Sequence, residues 1–263
     1  MIWIFVAAAI ASQTAPTPDL GEVEHAIQAN RLEQARQMIA DATREGRSGP
    51  ELDRLMADLA FAQDHWAEAQ ARYAELLKVN ASDARSAERA GIAALKLGNR
   101  NEAREFLQKA ISSHEASWQA WNALGALYDG ERDWDGADAA YATAEELAPG
   151  QPQVLNNHGW SLLLRGEWAS AIQVLEKAAL ADPKSQRALN NLELARAAVA
   201  SELPRRRLGE SDSEFAARLN DAGVAAEMRG QRDKAVAAFA RALTVSDSWY
   251  SRAANNLATV QPK

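Results

Sequence analysis

Residues 118–151 read WQAWNALGALYDGERDWDGADAAYATAEELAPGQ. Trp121, Leu124, Gly125 and Tyr128 fall three and four residues apart, and so do Ala137, Tyr141 and Ala144. That spacing predicts two amphipathic helices with a polar turn between them. The pattern returns along the chain. Gly91, Gly125 and Gly159 are separated by 34 residues, as are Ala35, Ala69, Ala103, Ala137 and Ala171. Ala110, Ala144 and Ala178 keep the same step, as do Tyr73, Leu107, Tyr141 and Leu175, and Pro149 and Pro183 close two of the units. Chance does not hold such a register over five units, so the chain is a repeat protein.

Each predicted helix is about a dozen residues long, too short to be stable in water by itself. Stability must come from stacking the apolar stripes of neighbouring units. Gly125 and Ala137 are small where two paired helices cross, and Trp66, Trp134 and Trp168 each follow a turn, where a large ring covers the hairpin end. The tetratricopeptide repeat pattern is W-x2-L-G-x2-Y, then A-x3-F, then P, over 34 residues. Trp121, Leu124, Gly125, Tyr128, Ala137, Tyr141 and Pro149 reproduce it, with Tyr in place of Phe. The chain therefore resembles the tetratricopeptide repeat family. That resemblance implies an all-α, right-handed superhelical solenoid of helix-turn-helix repeats whose first helices line a concave groove. Units are expected at 16–49, 50–83, 84–117, 118–151 and 152–185, the first carrying Val23 at the glycine position.

The register then breaks. Residues 186–200 begin like another first helix, but Glu193 stands where a glycine is due. SELPRRRLGESDSE follows, with Pro204, Gly209 and the run Arg205–Arg207, and reads as a loop or hinge over 202–211. Gly223, Gly230, Ala235, Phe239 and Ala242 resume the pattern, so 212–263 reads as a carboxy-terminal unit with a capping helix. Asn255, Asn256 and Gln261 suit the polar outer side of a cap.

Composition narrows the function. The 263 residues carry a net charge of -7, 47% hydrophobic residues and no cysteine. No disulfide, thiolate nucleophile or cysteine-based zinc site can form. An acidic chain without clustered cations is a poor ligand for nucleic acid. His25, His65, His114 and His158 have no metal-ligand spacing, and no phosphate loop, dinucleotide fingerprint or nucleophile motif occurs. No catalytic residue, metal or cofactor is expected. Ile2–Ala11 is apolar, too short to span a membrane, and ends in the small-x-small form Ala9-Ile10-Ala11. Residues 1–15 are thus expected to be a secretion signal with a short tail, and the protein to be exported to a Gram-negative periplasm. A cytoplasmic location is the alternative.

What remains is a partner. In stacked hairpins the exposed positions of the first helices face one groove. The fifth residues of successive units are Asn122, Asn156, Asn190 and Asn220; the sixth are Ala123, Asn157, Asn191, Asp221 and Asn255. An amide both donates and accepts, so a row of them can hold a peptide backbone without demanding particular side chains. Trp160, at a ninth position, is placed to act as an aromatic anchor. Interhelical bonding of the amides, and packing of Trp160 near Leu194, are the structural alternatives. In the earlier units Arg54, Asp58, Arg85, Glu88 and Arg89 occupy comparable places and give a surface of mixed charge. The expected function is a non-enzymatic scaffold that binds a protein or extended peptide segment, within a bacterial envelope assembly or secretion system. Residues 156–195 are similar to the repeat proteins that serve Tad-type pilus assembly. A self-assembling structural subunit and an enzyme with an unrecognised site are the other readings.

Overall fold

A computed structural model describes residues 19–113, 116–199, 203–246 and 250–260. The expected secretion signal, His114, the first residue of the expected hinge and Gln261 lie outside the described residues. Every regular element among the described residues is an α-helix, and the helices pair as the period predicts. The hairpins are α1 (Leu20–Gln28) with α2 (Leu32–Arg44) and α3 (Pro50–Ala62) with α4 (Trp66–Val79); α5 (Ala84–Leu97) packs on α4 and is followed in the chain by α6 (Arg100–Ile111). Then come α7 (Trp118–Glu131) with α8 (Trp134–Leu147), and α9 (Pro152–Leu164) with α10 (Trp168–Ala181). Among the described residues no second helix follows α11 (Gln186–Val199); α12 (Asp212–Met228) pairs with α13 (Arg232–Val245), and α14 (Ser251–Val260) is the last helix.

Two compact units divide the chain between Phe106 and Leu107, within α6. In the first, Val23, Ala26, Ala35 and Ile39 pack against Leu52, Leu55 and Leu59. Tyr73 is fully buried there, its hydroxyl donating to Asp58 Oδ1 at 2.5 Å. Arg85 donates to Asp58 Oδ2 at 3.0 Å. Asp58 and Glu88, assigned by position to an open charged surface, are both buried. The correction has a simple cause: Asp58 sits over the Tyr73 hydroxyl, which must find an acceptor once desolvated.

The second unit, from Leu107 onward, contains the amide row. Local chemistry sets its helix ends. Ser117 and Asp133 accept hydrogen bonds from the backbone N–H of Ala120 and Gly136. Pro152 starts α9, where a missing N–H costs nothing. Ser211 and Glu214 form a reciprocal capping box at α12. The turn after α9 closes on Gly166 at φ 81°, a left-handed conformation that glycine adopts without strain.

The small residues do what their positions predict. A Cβ on Gly125 would lie 2.6 Å from Tyr141 Cε1, and one on Gly159 2.5 Å from Leu175 Cγ. Gly223 abuts Phe239 in the same manner. First and second helices therefore touch through backbone on one side and a large buried ring or leucine on the other. Full burial of each such side chain contributes about 1.5–3 kcal/mol. Trp168 covers its own turn, packed beside Gly166 and against the core of Leu163, Leu175 and Leu194.

Candidate functional site

First helices of successive hairpins in the second unit lie side by side: α7 against α9, α9 against α11, α11 against α12, and α12 against α14. The fifth and sixth positions consequently meet at each joint. Asn157 Nδ2 donates to Asn122 Oδ1 at 3.1 Å, from α9 to α7. Asn191 Nδ2 donates to Asn156 Oδ1 at 2.9 Å, from α11 to α9. Asn156 Nδ2 donates in turn to Asn157 Oδ1 at 3.3 Å. The four amides form one relay, Asn191 to Asn156 to Asn157 to Asn122, across three helices. Asn256 Nδ2 donates to Asn220 Oδ1 at 2.9 Å and repeats the motif between α14 and α12.

The row is thus partly structural, as the interhelical alternative has it. Asn156 and Asn220 are buried, while Asn122, Asn157 and Asn191 are half-buried and Asn190 is exposed. An amide offers two N–H donors and two acceptor lone pairs. Asn122 and Asn191 each spend one of these in the relay, and Asn156 and Asn157 spend two. Trp160 is 38% exposed, and Leu194, its suggested packing partner, is buried in the core of α9, α10 and α11. With Asn156 and Asn157 four and three residues before it on α9, Trp160 lies one turn beyond the relay on the same helix face.

A buried polar cluster beneath this face was not foreseen. Asp129 of α7 is 8% exposed. It accepts from the Tyr141 hydroxyl at 2.7 Å and from Ser161 Oγ at 2.5 Å, which ties α8 and α9 to α7. Burial raises the Asp129 pKa, although both hydroxyl donors and Arg165 oppose the shift. Burial and the Asp129 carboxylate together push the Tyr141 hydroxyl far above its ordinary range. His158 stacks on the Tyr141 ring with centroids 5.6 Å apart, and Nε2 lies 3.5 Å from Asp138 Oδ1. Burial lowers its pKa, against the pull of Asp138. Arg165 grips both Asp138 oxygens, at 2.8 and 2.5 Å. Asp138 thus links α8 to the end of α9. Its signal in sequence was an arginine 27 residues on, at the end of the next first helix.

The joint between α11 and α12 is different. Glu193 occupies the glycine register because no second helix packs there. Arg196, Arg207 and Arg218 converge on its carboxylate at 3.6, 3.1 and 3.7 Å. Arg218 also donates to both oxygens of Glu210, at 2.8 and 2.9 Å, and Arg206 pairs with Asp212. Within the expected hinge the described residues are therefore tied down by ion pairs. Glu193, Arg196, Ala197, Pro204, Arg207, Arg218 and Asp221 line an open cavity of about 190 Å³.

Among the described residues no helix is long and apolar enough to cross a membrane, and no three acidic or histidine side chains are grouped to hold a metal ion. A family profile described as tetratricopeptide repeat matches residues 54–120, 88–152 and 122–186, which together span 54–186, half of the chain. No curated protein matches the sequence. Among solved structures, the chain is similar to PilW, described as a widely conserved type IV pilus biogenesis factor. The two are 14% identical with a TM-score of 0.59, over 92% of this chain and 96% of that one. It is similar to PilF of Pseudomonas aeruginosa at 15% identity and TM-score 0.56, over 91% and 95% of the two chains. A chain of the APC/C hetero-tetramer Cut9–Hcn1 aligns at 14% identity and TM-score 0.56, over 92% of this chain and 41% of its own length. This chain thus spans less than half of that relative. At such identities the likeness is one of fold.

Proposed function

The chain belongs to the tetratricopeptide repeat family, and on that premise we propose that it is a non-enzymatic scaffold holding an extended segment of a partner protein. The segment lies against the first helices of the second unit, across the accessible amides Asn122, Asn157, Asn190 and Asn191, which the buried Asn156 and Asn220 support. One observation carries this reading: the relay Asn191–Asn156–Asn157–Asn122 runs beside an exposed tryptophan, Trp160. The relay holds the amides in set orientations, so their remaining donors and acceptors meet a peptide backbone with little further loss of side-chain freedom. Trp160 supplies rigid apolar area of the kind that dominates binding energy.

Crosslinking in the native cell followed by mass spectrometry tests the proposal. The protein should capture a partner that Trp160→Ala and the pair Asn157→Ala with Asn191→Ala lose, while circular dichroism shows unchanged helicity. Equal capture by wild type and both variants sinks the groove reading; a chain that crosslinks only to itself replaces it with a self-assembling subunit. We also propose export and a role in a bacterial envelope assembly or secretion system, supported by the apolar run Ile2–Ala11 and its Ala9-Ile10-Ala11 ending. Amino-terminal sequencing of the mature protein decides the first point, since a start at Met1 refutes cleavage.

A further inference from the structure

The open cavity of about 190 Å³ lies where the candidate face passes from α11 to α12. Asn190, Glu193 and Ala197 are three and four residues apart, so the exposed amide of Asn190 shares one face of α11 with two residues that line the cavity. Asp221, on the α12 side, holds the sixth position of its unit, which Asn157 and Asn191 hold in theirs. Three arginines from three segments line the same space: Arg196 of α11, Arg207 of the connection and Arg218 of α12. All three converge on Glu193, and the shortest contact, from Arg207 Nη2 at 3.1 Å, is a hydrogen bond. The side chains of Arg196 and Arg207 are 48% and 59% exposed and that of Glu193 is 29% exposed, so these guanidinium groups meet solvent ahead of the carboxylate.

We propose that this cavity receives an acidic side chain, aspartate or glutamate, of the segment held along the amide row. The inference deepens the scaffold reading and rests on it. The lining carries three cationic and two anionic groups in a chain of net charge -7, a local reversal of sign. A guanidinium offers five N–H donors in a planar fork that matches a carboxylate. Among the described residues the Arg196 side chain donates one hydrogen bond, from Nη2 to Glu176, and the Arg207 side chain one, from Nη2 to Glu193. The other N–H groups of these two forks can take both oxygens of a second carboxylate. Arg218 is occupied by Glu210 at 2.8 and 2.9 Å, so Arg196 and Arg207 are the pair that meets the ligand. Glu193 gathers the three guanidinium groups on one centre before any ligand arrives, which lowers the ordering cost of binding.

The fold also sets where the acidic residue falls. An amide row binds backbone groups that a helix would already have spent on itself, so the occupant is extended. Packed helices lie about 8–10 Å apart, and an extended chain advances about 3.3 Å per residue. From Trp160 on α9 to the cavity between α11 and α12 is about one and a half helix spacings, or roughly four residues of extended chain. A segment that seats an apolar residue on Trp160 therefore presents its carboxylate about four positions away. A free phosphate shares the chemistry of oxygens on a guanidinium fork, and the experiment separates the two sources.

Nuclear magnetic resonance of the arginine Nε–H groups in the full chain tests the pocket by itself. The probes are N-acetyl-glutamate N-methylamide, its glutamine counterpart and inorganic phosphate. The glutamate probe should shift the Arg196 and Arg207 signals to saturation, and the glutamine probe should leave them in place. Arg196→Gln and Arg207→Gln change exposed side chains, and each should weaken the glutamate probe roughly tenfold, the worth of one hydrogen bond to a charged group. No response to the glutamate probe, an equal response to glutamine, or a response to phosphate alone overturns the proposal. A serine–threonine peptide with one leucine and, four residues on, one glutamate then joins pocket to groove. It should bind more tightly than its glutamine twin and move the side-chain amide signals of Asn157 and Asn191. Preference for glutamate without movement of those amides removes the groove reading and leaves the pocket. Movement without preference removes the pocket and leaves the groove, and a peptide that shows neither overturns both.

Discussion

Tyr141 donates its hydroxyl proton to Asp129 at 2.7 Å, inside a hairpin whose two helices touch through Gly125 and the Tyr141 ring. Ser161 of the next hairpin holds the other carboxylate oxygen. One buried aspartate therefore satisfies two hydroxyls and joins two repeats. Removing one donor leaves a desolvated acceptor unpaired, which costs about 1–3 kcal/mol. Tyr141→Phe should lower the unfolding free energy of the second unit by about that amount in urea denaturation, with little loss of core volume. A change too small to resolve refutes the importance of the bond.

Gly125→Ala tests the close helix contact. The added methyl would meet the Tyr141 ring at 2.6 Å, and the ring is walled in. Overpacking of this kind costs about 1–3 kcal/mol. The expected readout is a lowered melting temperature together with a changed near-ultraviolet aromatic signal. Gly159→Ala, against Leu175, should behave alike in stability without the aromatic change.

The amide relay separates cleanly from the tryptophan beside it. A double-mutant cycle on Asn122 and Asn157, each changed to Ala, should show a coupling of about 0.5–1.5 kcal/mol, the net worth of one hydrogen bond. Trp160→Ala should alter stability by less than about 0.5 kcal/mol, as surface changes do. A large stability loss from Trp160→Ala would mean that the ring is a packing element, and would remove it as an anchor.

His158 makes the stability of the second unit sensitive to pH. Its folded pKa is depressed by burial, so the unfolded chain takes up a proton first as pH falls through the ordinary histidine value of about 6.5. The stability this residue contributes should be lost below that value. His158→Gln, which keeps an amide within reach of Asp138, should flatten the acid-side decline of the melting temperature of the second unit. An identical pH profile in the variant would show that His158 does not titrate as the fold requires.

The 34-residue recurrence of Gly125, Ala137 and Tyr141 carried the fold class and the helix-turn-helix pairing, because each is a consequence of local periodicity and of which residues are too large to sit at a helix crossing. Glu193 in the glycine register announced the irregular joint for the same reason. The rows Asn122–Asn156–Asn190–Asn220 and Asn157–Asn191 were visible as positions. Their bonding to one another was not, because a donor and acceptor 35 residues apart meet only when neighbouring first helices settle side by side at a particular offset. The burial of Asp129 and Asp58 was hidden further still. An aspartate in a polar-looking turn has the same letters whether it faces water or a tyrosine hydroxyl, and its burial depends on which desolvated donor the stacked repeats bring over it. Sequence alone determined the repeat and the positions of the amide rows. Tertiary structure decided which amides are spent on the stack and which carboxylates are enclosed.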